Sequence, residues 1–221
     1  MKIKNSKKGF TIIELIVVMA VFLFIIGAAI GIFISIVQNQ KRILAQQQLL
    51  NQISYVEEYM SKALRMAVAA ENDNCIPTGY IYQLTRYNGA GGFYQGIKFI
   101  NPSDNDACQE FFLAGTGSAN DPYILKELKD NTNDGKAVNL VSTNLQFNQE
   151  NPIRFSVNGS NGSQVGLSCD ALNRCGAIAS KSSSLQPQPR VTVLLNVKIA
   201  GDSQTKAIQT TVSQRNLNVV K

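Results

Sequence analysis

An apolar run of 28 residues, Phe10 to Val37, constrains everything that follows it in the chain. Only Thr11, Glu14 and Ser35 interrupt the run, and Leu15 to Ile34 is twenty apolar or glycine residues without a break. At about 1.5 Å per helical residue, that stretch spans a hydrocarbon core of about 30 Å. A carboxylate in such a span costs about 2.5–3.5 kcal/mol at mid-membrane, so Glu14 reads as functional. Directly ahead lies Lys7-Lys8-Gly9-Phe10, with Lys2 and Lys4 before it and no acidic residue. Lysines ahead of a first span hold that end in the cytoplasm. Residues beyond Gln38 are then expected outside the membrane.

Past Val37 neither proline nor glycine appears until Pro77. Leu49, Ile53, Val56, Met60, Leu64 and Ala67 recur at spacings of three and four, which is one face of an α-helix. Gln46, Gln48, Asn51, Glu58 and Lys62 form the soluble side. The spacing predicts one helix from Phe10 to about Ala70, some 90 Å long, apolar all round in its first half and amphipathic in its second. Gly27 and Gly31 form a G-x-x-x-G in the apolar half, where small residues let helices approach closely. Each also weakens the helix by about 1 kcal/mol relative to alanine.

Beyond Cys75 the period changes to two. Tyr80–Tyr87 and Phe93–Ile100 flank the glycine-rich hairpin signal Asn88-Gly89-Ala90-Gly91-Gly92. Arg190–Ile199 is the clearest strand, with Val191, Val193, Leu195, Val197 and Ile199 on one face. A turn leads into Thr205–Gln214. Val138–Phe147 and Ile153–Val157 are weaker strand candidates, and Ser180–Pro189 reads as a polar loop. The expected fold is α+β: a long N-terminal helix packed on a C-terminal antiparallel β-sheet domain. The segments are 1–9, a leader; 10–37, the membrane or filament-core helix; 38–74, its amphipathic continuation; and 75–221, the β-rich domain.

Cys75, Cys108, Cys169 and Cys175 all fall on the expected outer side, where an even count suggests two disulfides. Three pairings are open. Cys169–Cys175 closes the smallest loop and leaves Cys75–Cys108. Structural zinc fits poorly, because histidine is absent and the spacings lack the paired C-x₂₋₄-C pattern.

The formal charge of +6 suggests nucleic-acid binding until its position is considered. Four of those charges are the leader lysines, so the remainder has no broad electropositive field by count. No histidine is available for acid–base work, and neither a G-x-S-x-G elbow nor a P-loop occurs. An enzyme is not expected. Asp130-Asn131-Thr132-Asn133-Asp134-Gly135 clusters oxygen ligands. Thr132 departs from a calcium loop, however, and Val141 stands where its bidentate Glu belongs. A solvated turn is expected there, with no metal and no cofactor. Asn158-Gly159-Ser160 and Asn161-Gly162-Ser163 match the glycosylation sequon but read as a flexible loop.

Two ordinary readings of the N-terminus compete with a more specific one. A secretory signal peptide has a shorter apolar core and a small-residue cleavage site beyond it, whereas Val37-Gln38-Asn39-Gln40 is no such site. A plain signal anchor needs neither the Gly-Phe junction nor Glu14. Lys7-Lys8-Gly9-Phe10-Thr11-Ile12-Ile13-Glu14-Leu15 resembles the class III signal of type IV prepilins and pseudopilins. The resemblance implies cutting after Gly9 by a membrane prepilin peptidase and methylation of Phe10. It also implies that Glu14 pairs with the terminal amine of a neighbouring subunit, which offsets the cost of two lone charges in an apolar bundle.

The ending Ile208-Gln209-Thr210-Thr211-Val212-Ser213-Gln214-Arg215-Asn216-Leu217 is similar to J-type minor pseudopilins and their pilus counterparts. No cysteine follows Cys175, a departure from the single C-terminal loop common in major pilins, and this favours a minor subunit. The implied partners are prepilin peptidase, other pilins or pseudopilins, an inner-membrane assembly platform, and lipid before assembly. The implied location is the inner membrane, crossed once, and then the filament. A competing class is a tip-binding module contacting DNA, a surface or an exported protein.

Overall fold

The structure, a computed structural model, describes residues 9–215 apart from 79, 90, 119, 130–135, 143–144, 159–167, 170–174, 179–188 and 200–204. It divides into two units, Met1–Gln48 and Leu49–Lys221. A single helix, α1, covers Ile12–Met66, so its first part belongs to one unit and its last five turns to the other.

In the first unit the apolar side chains of α1 are bare. Phe22 is 56% exposed, Phe24 83% and Phe33 65%. Such a helix is long and apolar enough to cross a membrane, the one of its kind among the described residues. Covering each large side chain is worth about 1.5–3 kcal/mol, so water is a poor solvent for this segment.

In the second unit Leu49, Ile53, Val56, Met60, Ala63 and Leu64 of α1 are buried, on the face that the three- and four-residue spacing marks. They pack on an antiparallel sheet. Its strands are β1 (Tyr80–Asn88), β2 (Phe93–Asn101), β3 (Ala107–Ala114), β4 (Ile124–Lys129), β5 (Val138–Asn139) and β6 (Leu145–Phe147), then β7 (Ile153–Asn158), β8 (Ser168–Cys169), β9 (Cys175–Ile178), β10 (Arg190–Ile199) and β11 (Lys206–Ser213). The order is β11-β10-β7-β2-β1-β9-β8, with β3 also on β2, β4 on β3, β5 on β4 and β6 on β10. The fold is α+β. Val191, Val193, Leu195 and Val197 face the core, with Ile81, Tyr82, Ile97, Phe99, Phe111 and Phe155. Tyr59, Phe111, Phe99 and Tyr82 follow one another across it as ring contacts, with centroids 5.6–6.4 Å apart.

Three expectations need correction. The helix stops at Met66, short of Ala70. Its last carbonyls are taken by donors from β1 and from the chain just after β11: Tyr82 Oη donates to the Leu64 oxygen at 2.6 Å, and the Arg215 amide to the Arg65 oxygen at 2.9 Å. Gln214 Nε2 donates to the Ala67 oxygen at 2.8 Å, while Val68 bridges Ile100. Satisfied from outside, these carbonyls need no further helical turn. Second, Val138–Phe147 is two short strands with different partners, β5 on β4 and β6 on β10; between them the Leu145 amide donates to the Ser142 oxygen. Third, the sheet also contains β3 and β4, which apolar alternation does not mark. Their inner positions include Gln109 and Glu127, which break the apolar alternation while being almost fully buried.

Candidate functional site

The N-terminal turn of α1 is built around Thr11 and Glu14. The Glu14 amide donates to Thr11 Oγ1 at 3.3 Å. In return, the Thr11 amide and hydroxyl both donate to Glu14 Oε2, at 3.1 and 3.0 Å. This is a capping box, in which orphan donors of the first turn are satisfied reciprocally. The arrangement also sets a carboxylate at the positive end of the helix dipole. Thr11 joins Glu14 as a functional residue of this turn that type and spacing of charges alone do not single out, although Thr-x-x-Glu ahead of an apolar run is its signal.

Phe10 lies just outside this turn, 82% exposed. Gly9 precedes it, and a Cβ built there meets nothing within 4 Å. Sequence and fold thus bring Gly9, Phe10 and Glu14 together at one accessible end. The leader residues before Gly9 lie outside the described residues. Gly27 and Gly31 are equally open, with no atom of the chain within 4 Å of an added Cβ.

The cysteines belong to the second unit. Cys75 and Cys108 are disulfide-bonded, with Cα atoms 5.5 Å apart and a sequence separation of 33. The bond ties the connection after α1 to β3. The backbones of Cys169 and Cys175 are direct partners in the β8–β9 ladder. Opposed antiparallel residues have Cα atoms about 4.5–5.5 Å apart, within the range a disulfide spans.

A buried polar cluster joins α1 to β2, β3 and β4. Tyr59 Oη donates to Glu127 Oε1 at 2.7 Å, and Gln109 Nε2 donates to the same oxygen. Asn101 Nδ2 in turn donates to Gln109 Oε1 at 2.8 Å. Lys129 closes the open side, paired with Asp104 and 3.9 Å from Glu127. Burial and then the Glu127 hydrogen bond push the Tyr59 phenol up to about 12. The Asp104 contact raises Lys129 above its ordinary value. Every member has a partner, so the cluster has the character of a structural tie between helix and sheet.

Among the described residues no group of three or more Cys, Asp or Glu side chains is placed to hold a metal ion. The calcium-like run 130–135 and the sequon residues 159–163 lie outside the described residues. Val141, expected to stand where a calcium loop has its Glu, is buried in the core.

Residues 4–30 match the family described as the Prokaryotic N-terminal methylation motif. That match covers the Gly9–Phe10 junction and Glu14, and supports the type IV pilin and pseudopilin class for this chain. It implies processing by prepilin peptidase and assembly with other pilins. With the bare apolar helix, it supports a membrane-anchored, pilin-like subunit of a generally structural class. No curated protein and no solved structure matches the chain.

Proposed function

We propose that the chain is a minor pilin or pseudopilin, a structural subunit that enters a filament assembled from the inner membrane and contributes to its assembly or initiation. The observation that carries the reading is the junction Gly9–Phe10 in a methylation motif, placed at the open start of an apolar helix with no cover of its own. Cutting there leaves the membrane helix in the product and creates an amine at Phe10, beside the Thr11 and Glu14 box.

In this reading lysines 2, 4, 7 and 8 keep the leader cytoplasmic and the sheet domain lies outside. Lipid covers Leu15–Ile34 before assembly and neighbouring helices cover it afterwards. Glu14 exchanges its contacts within the box for the Phe10 amine of a neighbour. An uncompensated charge in a dry bundle costs several kcal/mol, so this pairing fixes the depth at which a subunit enters. The J-like strand ending and the cysteine layout favour a minor position. Cys169–Cys175 forms the second disulfide, and Gly27 and Gly31 admit close helix approach.

The test is mass spectrometry of the chain co-expressed with prepilin peptidase. The expected product lacks Met1–Gly9 and begins with methylated Phe10. An intact leader, or cleavage beyond Val37, rejects the reading. Replacing Gly9 by a bulky residue is expected to block the cut.

A further inference from the structure

The cations of the sheet unit are unevenly placed. Elsewhere on the sheet Arg86 pairs with Glu110 and Lys129 with Asp104. The neighbouring strands β7, β10 and β11 carry Arg154, Arg190, Lys198 and Lys206 and neither aspartate nor glutamate. Val191, Val193, Leu195 and Val197 are buried in the core, so the alternate residues of β10 point outward, and cross-strand partners carry the same face over β7 and β11. Arg190 lies between Asn158 and Ser213, Thr192 between Ser156 and Thr211, and Leu194 between Arg154 and Gln209. Lys198 stands opposite Gln146 of β6. Lys206, opposite Val197, turns the other way.

Arg154 and Arg190 are exposed and Lys198 is partly so. Among the described residues none of the three is in an ion pair. Arg190 and Lys198 are about 27 Å apart along one strand, and Arg154 flanks the midpoint. Count gives the chain beyond its leader no broad positive field; placement gathers a local one here. Between the cations lie amides and hydroxyls, with those of Thr192 and Thr211 3.0 Å apart, groups that bond phosphate oxygens as Arg and Lys do. A face three strands across suits an extended anionic surface better than one small anion. Its outward positions hold no aromatic ring, so single-stranded bases have nothing to stack on. The bilayer supplies such a surface nearby. The sheet unit begins at Leu49, 12 residues after Val37, where the apolar run ends, and a short tether holds headgroups at high effective concentration.

We propose that the outward face of β7, β10 and β11 docks on anionic phospholipid headgroups of the membrane that holds α1, through Arg154, Arg190 and Lys198. The proposal rests on the membrane-anchored reading above. It adds a second, electrostatic hold on the sheet unit, which a subunit must release to leave the bilayer. Each cation near an anionic surface is worth about fivefold in affinity, and the three together about a hundredfold, a gain that salt screens away.

The experiment uses the full chain reconstituted into nanodiscs of phosphatidylcholine, alone or in equal mixture with phosphatidylglycerol. A photoreactive p-benzoylphenylalanine replaces Gln209, which is exposed on this face. The control position is Val138, exposed on β5 and paired with β4 instead. Irradiation is expected to give a lipid adduct at position 209 in the anionic discs. The adduct is expected to fall at least about tenfold in phosphatidylcholine discs, at about 1 M salt, and when Arg154→Gln, Arg190→Gln and Lys198→Gln are combined. These side chains lie at the surface, so protease resistance of the sheet unit is expected to match the parent. Arg154→Lys with Arg190→Lys keeps the charge and is expected to keep the adduct; its loss overturns the proposal. So does an adduct indifferent to lipid charge, salt or the triple variant, or one that is equally charge-dependent at position 138. If added duplex DNA is itself joined to position 209 and removes the lipid adduct, the face belongs to nucleic acid and the proposal fails. A chain that keeps its leader beside prepilin peptidase yet gives the adduct rejects the subunit reading alone. A processed chain that gives none rejects this proposal alone.

Discussion

Tyr82→Phe removes one oxygen atom from the core and isolates a single tertiary cap of the helix. Tyr82 is fully buried and its hydroxyl donates to the Leu64 carbonyl at 2.6 Å. Phenylalanine fills the same ring volume, so no methylene-sized cavity enters the result. What remains is a buried acceptor left with the Ala67 amide at 3.3 Å. A lost hydrogen bond nets about 0.5–1.5 kcal/mol, and a buried group left short of a partner adds to it. The expected cost is about 1–2 kcal/mol, or a fall of about 2–8 °C in the unfolding midpoint for a unit of this size. Pulse proteolysis of the full chain in detergent across a urea series reads this directly, because cleavage tracks the unfolded population. The midpoint is expected to shift with an unchanged slope. A shift within error of zero means that water or a neighbouring donor replaces the hydroxyl, and the capping argument fails. A loss above about 4 kcal/mol means that the core rearranges, which one oxygen does not require.

Three further outcomes follow from other parts of the structure. Glu14→Leu is expected to leave processing and membrane insertion intact and to reduce crosslinking and co-purification with sibling subunits; parent-level recovery removes the pairing role of Glu14. Replacing Cys75 and Cys108 by alanine is expected to cost about 4 kcal/mol by chain entropy for a 33-residue separation, and non-reducing peptide mapping of the parent is expected to show Cys169–Cys175 as a second link. The raised Tyr59 pKa means that the folded state keeps a proton the unfolded chain gives up, so this stability is whole below pH 10 and lost as pH climbs towards 12. Tyr59→Phe should flatten that alkaline decline when urea midpoints are compared from pH 9 to 12, and an identical slope contradicts the assignment.

Local pattern made the helix, its inner face and the best strands legible. The spacing of Leu49, Ile53, Val56, Met60 and Leu64 states which side is covered, and the alternation from Val191 to Val197 does the same for β10. What pattern alone does not carry are features decided by distant residues. The stop at Met66 has no glycine or proline to announce it, because its caps come from Tyr82, Gln214 and Arg215. The strands β3 and β4 are hidden because Gln109, Glu110 and Glu127 occupy buried positions and satisfy one another or nearby side chains. At the candidate site the Gly9–Phe10 junction and Glu14 were readable from residue type and order. The part played by Thr11 becomes visible once its hydrogen bonds are seen.

The capping of α1 by the two residues after β11 also sets an order of events. Gln214 and Glu57 reach across about 150 residues of sequence, Gln214 to Ala67 and Glu57 to Thr210. During synthesis the helix is complete long before its final donors exist. Contacts of such sequence separation form late and slowly, since the loop between them must close first. The sheet domain therefore has no finished core until Gln214 has been made, and the apolar helix needs its shelter throughout that wait. A chain cut short before Gln214 loses that late closure and leaves the Arg65 and Ala67 carbonyls without these donors.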